Sequence, residues 1–131
     1  HLNPNVQGPV FKMLKGIRNI HLISPLPYSK FIWLLSKSYI VLTDSGGIQE
    51  EAPSLGKPIV VMRDITERME GITAGNAVLT GTSTASIIKE TTSILDHKKV
   101  YQKMSGAINP YGDGKTSRMI LKILADFWNY K

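Results

Sequence analysis

Thr43-Asp44-Ser45-Gly46-Gly47 closes the most apolar extended run of the chain, Tyr39-Ile40-Val41-Leu42-Thr43, and opens onto a helical stretch. At the carboxyl end of a strand in an open parallel α/β sheet, free backbone N–H groups and the positive end of the following helix point at one spot. A phosphate is the natural occupant. Ser45, Gly46 and Gly47 are therefore the candidate anion cradle: the glycines let the backbone come close, and the Ser45 hydroxyl can donate to the anion or cap the helix. A Ser-Gly-Gly turn on its own fits a tight connection without a ligand equally well, so its neighbours carry the argument. Glu51 follows about a turn and a half beyond Gly46 and can accept from the hydroxyls of a ribose, whereas Glu50 reads as an exposed helix acid. Arg63-Asp64-Ile65-Thr66-Glu67-Arg68 leaves the next apolar run, Ile59-Val60-Val61-Met62, at the same end. An arginine there suits a diphosphate, because its planar, permanently charged fork matches phosphate oxygens. The other arginine of the pair is expected to bond with Asp64, Glu67 or Glu70.

These residues need a frame that delivers them to one edge. Val6, Val10, Met13, Leu14 and Ile17 predict a helix over about 4–16, with Asn3 as its cap, Pro4 in its first turn and Gly16 as its stop. Ile20-His21-Leu22-Ile23 is expected to be a short buried strand. Tyr28, Phe31, Ile32 and Leu35 mark a second helix, and Tyr39–Thr43 the best strand. A helix to about Leu55 follows, irregular at Pro53 and stopped by Gly56, then the strand Ile59–Met62. Ala77-Val78-Leu79 adds a short strand, and Ile87, Ile88, Thr91, Ile94 and Leu95 a helix capped among Thr82 to Thr84. Asn109-Pro110-Tyr111-Gly112-Asp113-Gly114 must be a loop, and Met119, Ile120, Ile123, Leu124, Phe127 and Trp128 form a long apolar helical stripe. Strands apolar on both faces and separated by helices imply a Rossmann-like, doubly wound parallel sheet.

Bulk properties narrow the function classes. The 131 residues, 42% of them hydrophobic, suffice for one core of ordinary size, and a single domain is expected. No cysteine is present, which removes disulfides, thiolate metal sites and cysteine nucleophiles, and no ligand cluster at metal spacing is seen. No apolar run reaches the length of a membrane span, and His1-Leu2-Asn3-Pro4 has no signal-peptide character, so a soluble cytoplasmic protein without membrane partners is expected. The net charge of +6 is spread singly along helices, which reads as a solvated basic face rather than a nucleic-acid groove. Residues 44–70 hold six acids against three bases, concentrating the chemistry there.

Taken together, Leu42 to Pro58 (LTDSGGIQEEAPSLGKP), Met62 to Arg68 (MRDITER) and Asn109 to Gly114 (NPYGDG) closely resemble non-hydrolysing UDP-N-acetylglucosamine 2-epimerases, and the opening His1 to Val6 matches as well. The resemblance runs over essentially the whole chain. It implies the C-terminal nucleotide-binding domain of a two-domain, glycosyltransferase-B-like architecture whose active site lies between two Rossmann-like halves. On these positions it places the diphosphate at Ser45, Gly46 and Gly47, the ribose at Glu51, a phosphate at Arg68 and the uracil against Phe31. Leu26 stands where the family often has Gln, so only a backbone contact to uracil survives at that position, and His1 resembles a histidine near a second, regulatory UDP-GlcNAc site. The implied reaction turns UDP-GlcNAc into UDP-ManNAc by eliminating UDP and adding it back, with no NAD and no metal. The acid and base carboxylates of the family belong to sequence preceding the matched segment, so this chain is expected to bind UDP and UDP-N-acetylhexosamine without turning them over. The terminal helix, 115–131, is expected to dock on that N-terminal domain and otherwise to drive self-association, as in a homodimer. Two other readings remain at this point: the donor-nucleotide domain of a glycosyltransferase, and a non-enzymatic basic module.

Overall fold

A computed structural model describes residues 3–129. In chain order the elements are α1 (Pro4–Leu14), α2 (Tyr28–Lys37), β1 (Val41–Thr43), α3 (Gly46–Ser54), β2 (Ile59–Val61), α4 (Met69–Ala74), β3 (Ala77–Leu79), α5 (Thr84–Asp96), α6 (Lys98–Ser105) and α7 (Thr116–Asn129). The chain divides into two compact units, His1–Leu34 and Leu35–Lys131.

In the first unit, the Asn3 side chain accepts from the Asn5 N–H at 2.9 Å, the cap expected from sequence. Pro9 lies inside α1, which runs on to Leu14. The strand expected at Ile20–Ile23 does not form, and the segment is irregular. A strand exists only with a hydrogen-bonding neighbour, and among the described residues Ile20–Ile23 pairs with none; its two isoleucines are exposed. With Val6, Val10 and Phe11 of α1, this segment lines a groove of about 340 Å3.

The second unit carries the sheet. Its three parallel strands run in the order β1-β2-β3, with Val41 beside Ile59 and Ile59 beside Ala77, and Thr43, Val61 and Leu79 level at the other end. Every connection that leaves a strand thus starts from one edge. Val60 packs on Ile94 of α5 and Met104 of α6, with Ile40, Val78, Val100 and Tyr101 around them. Alternate strand residues face opposite ways, so Ile59 and Val61, both fully buried, point to the other face of the sheet. The crossovers through α3 and α4 advance in the same direction along the sheet, and crossovers of one hand then lie on one face. Gln49, Ala52 and Pro53 are the buried residues of α3. The sheet is covered on both faces, as its uninterrupted apolar strands require, and each such side chain contributes about 1.5–3 kcal/mol of burial.

Two elements escaped the sequence reading. α4 is a single short helix ended by Gly75 in the left-handed conformation, and α6 follows α5 across one extended residue, His97. α6 is rich in lysine and has only Met104 buried, so its apolar signal is thin.

Candidate functional site

Ser45 is the N-cap of α3, with extended backbone, but its hydroxyl makes no capping bond. The N-cap residue is itself held from the strand end: the Ser45 N–H donates to Thr43 Oγ1 at 3.0 Å. The first intrahelical bond runs from the Gln49 N–H to the Ser45 carbonyl at 3.3 Å. The amides of Gly46, Gly47 and Ile48 precede that bond and have no carbonyl to reach within the helix. Three adjacent donors at the positive end of α3, with the Ser45 hydroxyl beside them, are left open to an anion. The third, the Ile48 amide, was not singled out from sequence, because a backbone donor leaves no mark in a residue type.

A cation stands directly on this helix start. A side chain added at Gly46 would lie 3.1 Å from Cζ of Arg68. Any side chain there would push the guanidinium outward by a few tenths of an ångström. Arg68 Nε donates to Glu50 Oε1 at 2.8 Å and Nη1 to Glu67 Oε2 at 3.3 Å, while Nη2 donates to no described residue. The Glu50 hydrogen bond, followed by the Glu50 charge, strengthens the guanidinium's hold on its proton. Glu67 is held below the ordinary carboxylate value of 4.5 by its own backbone N–H first and by the Arg63 charge next. Both arginines are ion-paired, Arg63 to Glu67 alone at 3.4 Å and Arg68 to Glu50 and Glu67, but only Arg68 lies against Gly46. Arg68 is the one brought to the cradle. Glu50 is exposed, as expected, but it is an arginine partner rather than an idle acid.

A buried polar relay ties the two halves of the site together. Gln49 Nε2 donates to the Ser45 carbonyl at 3.2 Å, Thr66 Oγ1 donates to Gln49 Oε1 at 2.7 Å, and the Arg68 N–H donates to Thr66 Oγ1 at 3.1 Å. Gln49 and Thr66 are almost completely buried, where an unmade bond is expensive, so the relay locks the position of the Arg68 backbone relative to the cradle. The loop at 109–114 adds a second tie. Tyr111 Oη accepts from the Gly71 N–H at 3.1 Å and donates to the Arg68 carbonyl at 3.2 Å, and Asn109 Nδ2 donates to Ser54 Oγ at 2.9 Å.

Glu51 is half-buried on α3, and its carboxylate forms no hydrogen bond or ion pair with another described residue, so it is open to hydroxyl donors. Phe31 is a half-buried residue of α2 in the first unit, and Leu26 is exposed in the same unit. His1, expected at a regulatory site, lies outside the described residues. At the carboxyl edge of the sheet, Asp44, Met62, Arg63, Asp64, Ile65 and Thr82 line an open crevice of about 370 Å3. Among the described residues there is no group of three or more histidines and carboxylates able to hold a metal, and no helix long and apolar enough to cross a membrane.

The fold and this site define a parallel α/β domain of the anion-binding kind, with an open helix start and an arginine at the carboxyl edge of the sheet. The UDP-N-acetylglucosamine 2-epimerase family profile matches residues 1–125, and the chain belongs to that family. It is 57% identical over 124 residues to UDP-N-acetylglucosamine 2-epimerase of Campylobacter jejuni, covering 95% of this chain and 32% of that protein. The structure of the Neisseria meningitidis UDP-GlcNAc 2-epimerase bound to UDP-GlcNAc superposes with a TM-score of 0.90 at 49% identity, over 96% of this chain and 34% of that one. That of Staphylococcus aureus MnaA with UDP superposes with a TM-score of 0.91 at 43% identity, over 98% and 35%. The chain therefore spans about a third of the length of the relatives it matches.

Proposed function

We propose that this chain is the UDP- and UDP-sugar-binding part of a UDP-GlcNAc 2-epimerase, taking the diphosphate on Ser45, Gly46 and Gly47, the ribose on Glu51, a phosphate on Arg68 and the uracil against Phe31. The observation that carries the reading is the juxtaposition of three open amides at the start of α3 with a guanidinium seated on Gly46. In an elimination and re-addition of UDP, negative charge grows on the leaving diphosphate, and preorganised amides and an arginine stabilise it without moving a proton. The proton transfers at the sugar belong to carboxylates that the family carries in sequence before this segment, and the chain by itself has UDP affinity without turnover. In the whole enzyme it is the second domain of a glycosyltransferase-B-like pair, with α7 seated on the first domain, working in the cytoplasm to supply UDP-ManNAc for polysaccharide synthesis. Relatives with UDP-GlcNAc or UDP bound support the ligand class.

Titration of the chain with UDP, UMP and ADP, followed by amide chemical shifts, tests this. UDP should bind most tightly and move the signals of Gly46, Gly47 and Ile48; equal response to all three nucleotides, or shifts confined to other segments, would reject it. Interconversion of UDP-GlcNAc and UDP-ManNAc by the chain alone would reject the absence of turnover.

A further inference from the structure

Arg68 is attached to the site by more bonds than a phosphate ligand needs. Its backbone N–H is fixed by Thr66, its carbonyl by Tyr111, its Nε by Glu50, and its flat face by the bare backbone of Gly46. A free arginine sweeps a wide volume on a long flexible stem, and most of its ordering cost falls on binding; a guanidinium already held across the helix start avoids that cost. The bonds made are through Nε and Nη1, and Nη2 makes none with a described residue.

We propose, resting on the UDP-binding reading above, that Glu50 and Tyr111 are positioning residues for the diphosphate: Glu50 fixes the guanidinium from its Nε side, Tyr111 fixes the backbone that carries it, and Nη2 is left to meet the phosphate oxygens. The geometry singles out both residues. Glu50 lies one turn into α3, 18 residues before Arg68, and is its shortest ionic partner at 2.8 Å. Tyr111 arrives from a loop 43 residues after Arg68, and its hydroxyl bridges the Arg68 carbonyl to the Gly71 N–H, so it ties the end of the arginine loop to the start of α4. Gly71 is bare where Tyr111 comes in: an added side chain would lie 2.8 Å from the hydroxyl. The opposite role, in which Glu50 occupies the arginine and keeps phosphate away, predicts an effect of the opposite sign.

Affinities of the chain for UDP and for uridine, read from amide shifts, separate these. Glu50→Ala should weaken UDP binding about three- to tenfold, the scale of one charge-assisted contact on a partly exposed arginine, while leaving uridine binding unchanged. Glu50→Gln, which keeps the accepting oxygen, should recover most of the loss. Tyr111→Phe should also weaken UDP and spare uridine, and neither change should matter in an Arg68→Ala background, an outcome a merely structural role does not produce. Should Tyr111→Phe fail to fold, the Glu50 variants decide alone, since Glu50 is exposed. UDP binding as tight as wild type or tighter in Glu50→Ala, with Arg68→Ala weakened, overturns the positioning role and leaves the UDP reading standing. If the unaltered chain does not prefer UDP to uridine, or Arg68→Ala binds UDP normally, the UDP reading itself is lost and the positioning role goes with it.

Discussion

At the scale of single residues, the site depends on what is absent from Gly46. That glycine is in an ordinary helical conformation, so alanine would suit the backbone and raise helix propensity by about 0.5–1 kcal/mol. Its methyl group, however, would meet the Arg68 guanidinium at 3.1 Å. Gly46→Ala should therefore leave thermal stability unchanged or slightly raised, within about 1 kcal/mol, and still weaken UDP binding; melting curves and UDP titrations on the same variant check both halves. Gly81 offers the opposite case. Its φ is +68°, and a side chain there would sit 2.7 Å from Asp64 Oδ1. Gly81→Ala should destabilise the fold by about 1–3 kcal/mol in denaturant unfolding, since the strain is in the backbone itself. Gln49 is a third kind of position, a buried polar side chain between two partners. Gln49→Leu removes one of the two donors to the Ser45 carbonyl and leaves the buried Thr66 hydroxyl without its acceptor, and should lower stability by about 1–3 kcal/mol.

At the scale of elements, the loop at 109–114 works as a strap joining the end of α3, the Arg68 carbonyl and the start of α4. Its composition marked it as a loop, but nothing in Asn-Pro-Tyr-Gly-Asp-Gly says where a tyrosine hydroxyl will land 40 residues away. Burial is the main cause that raises the Tyr111 pKa above its usual 10.0, with nearby Glu70 and Glu50 pushing the same way. The sign follows from linkage: the folded protein keeps the phenol proton at pH values where the unfolded chain gives it up. The stabilisation from Tyr111 is therefore complete below pH 10.0 and is lost as pH rises above it through the folded value. Denaturant unfolding of the chain and of Tyr111→Phe should differ most below that pH and converge above it. An unchanged difference across the range would mean that the hydroxyl is not what the strap contributes.

At the scale of the whole molecule, the described residues leave one large surface unexplained by the core. α7 has no buried residue, and Met119, Ile120, Leu121, Ile123, Phe127 and Trp128 are all more than half exposed. Apolar stripes of this kind mark interaction surfaces, and the relatives are about three times as long as this chain. Removing residues 116–131 should cost little stability, because no described residue of α7 is buried, and should abolish concentration-dependent self-association. Sedimentation of both forms over a range of concentrations measures this; a chain that stays monomeric with α7 present would contradict it.

Local chemistry made much of this protein legible from its residues alone. Three apolar runs bounded by turn-forming residues became the three strands, and the Ser-Gly-Gly turn had to fall at the end of one of them, because periodicity and turn preference act over a few residues and need no distant partner. The expected strand at Ile20–Ile23 failed for the complementary reason: a strand is a pairing, and its apolar letters cannot supply the neighbour. The same limit hid the choice between Arg63 and Arg68, the pairing of Glu50, and the relay through Gln49 and Thr66. Those are contacts between side chains 17 or more residues apart, apart from the short Arg63–Glu67 pair. They exist only because parallel strands in register bring their carboxyl ends, and the loops that leave them, to one edge of the sheet.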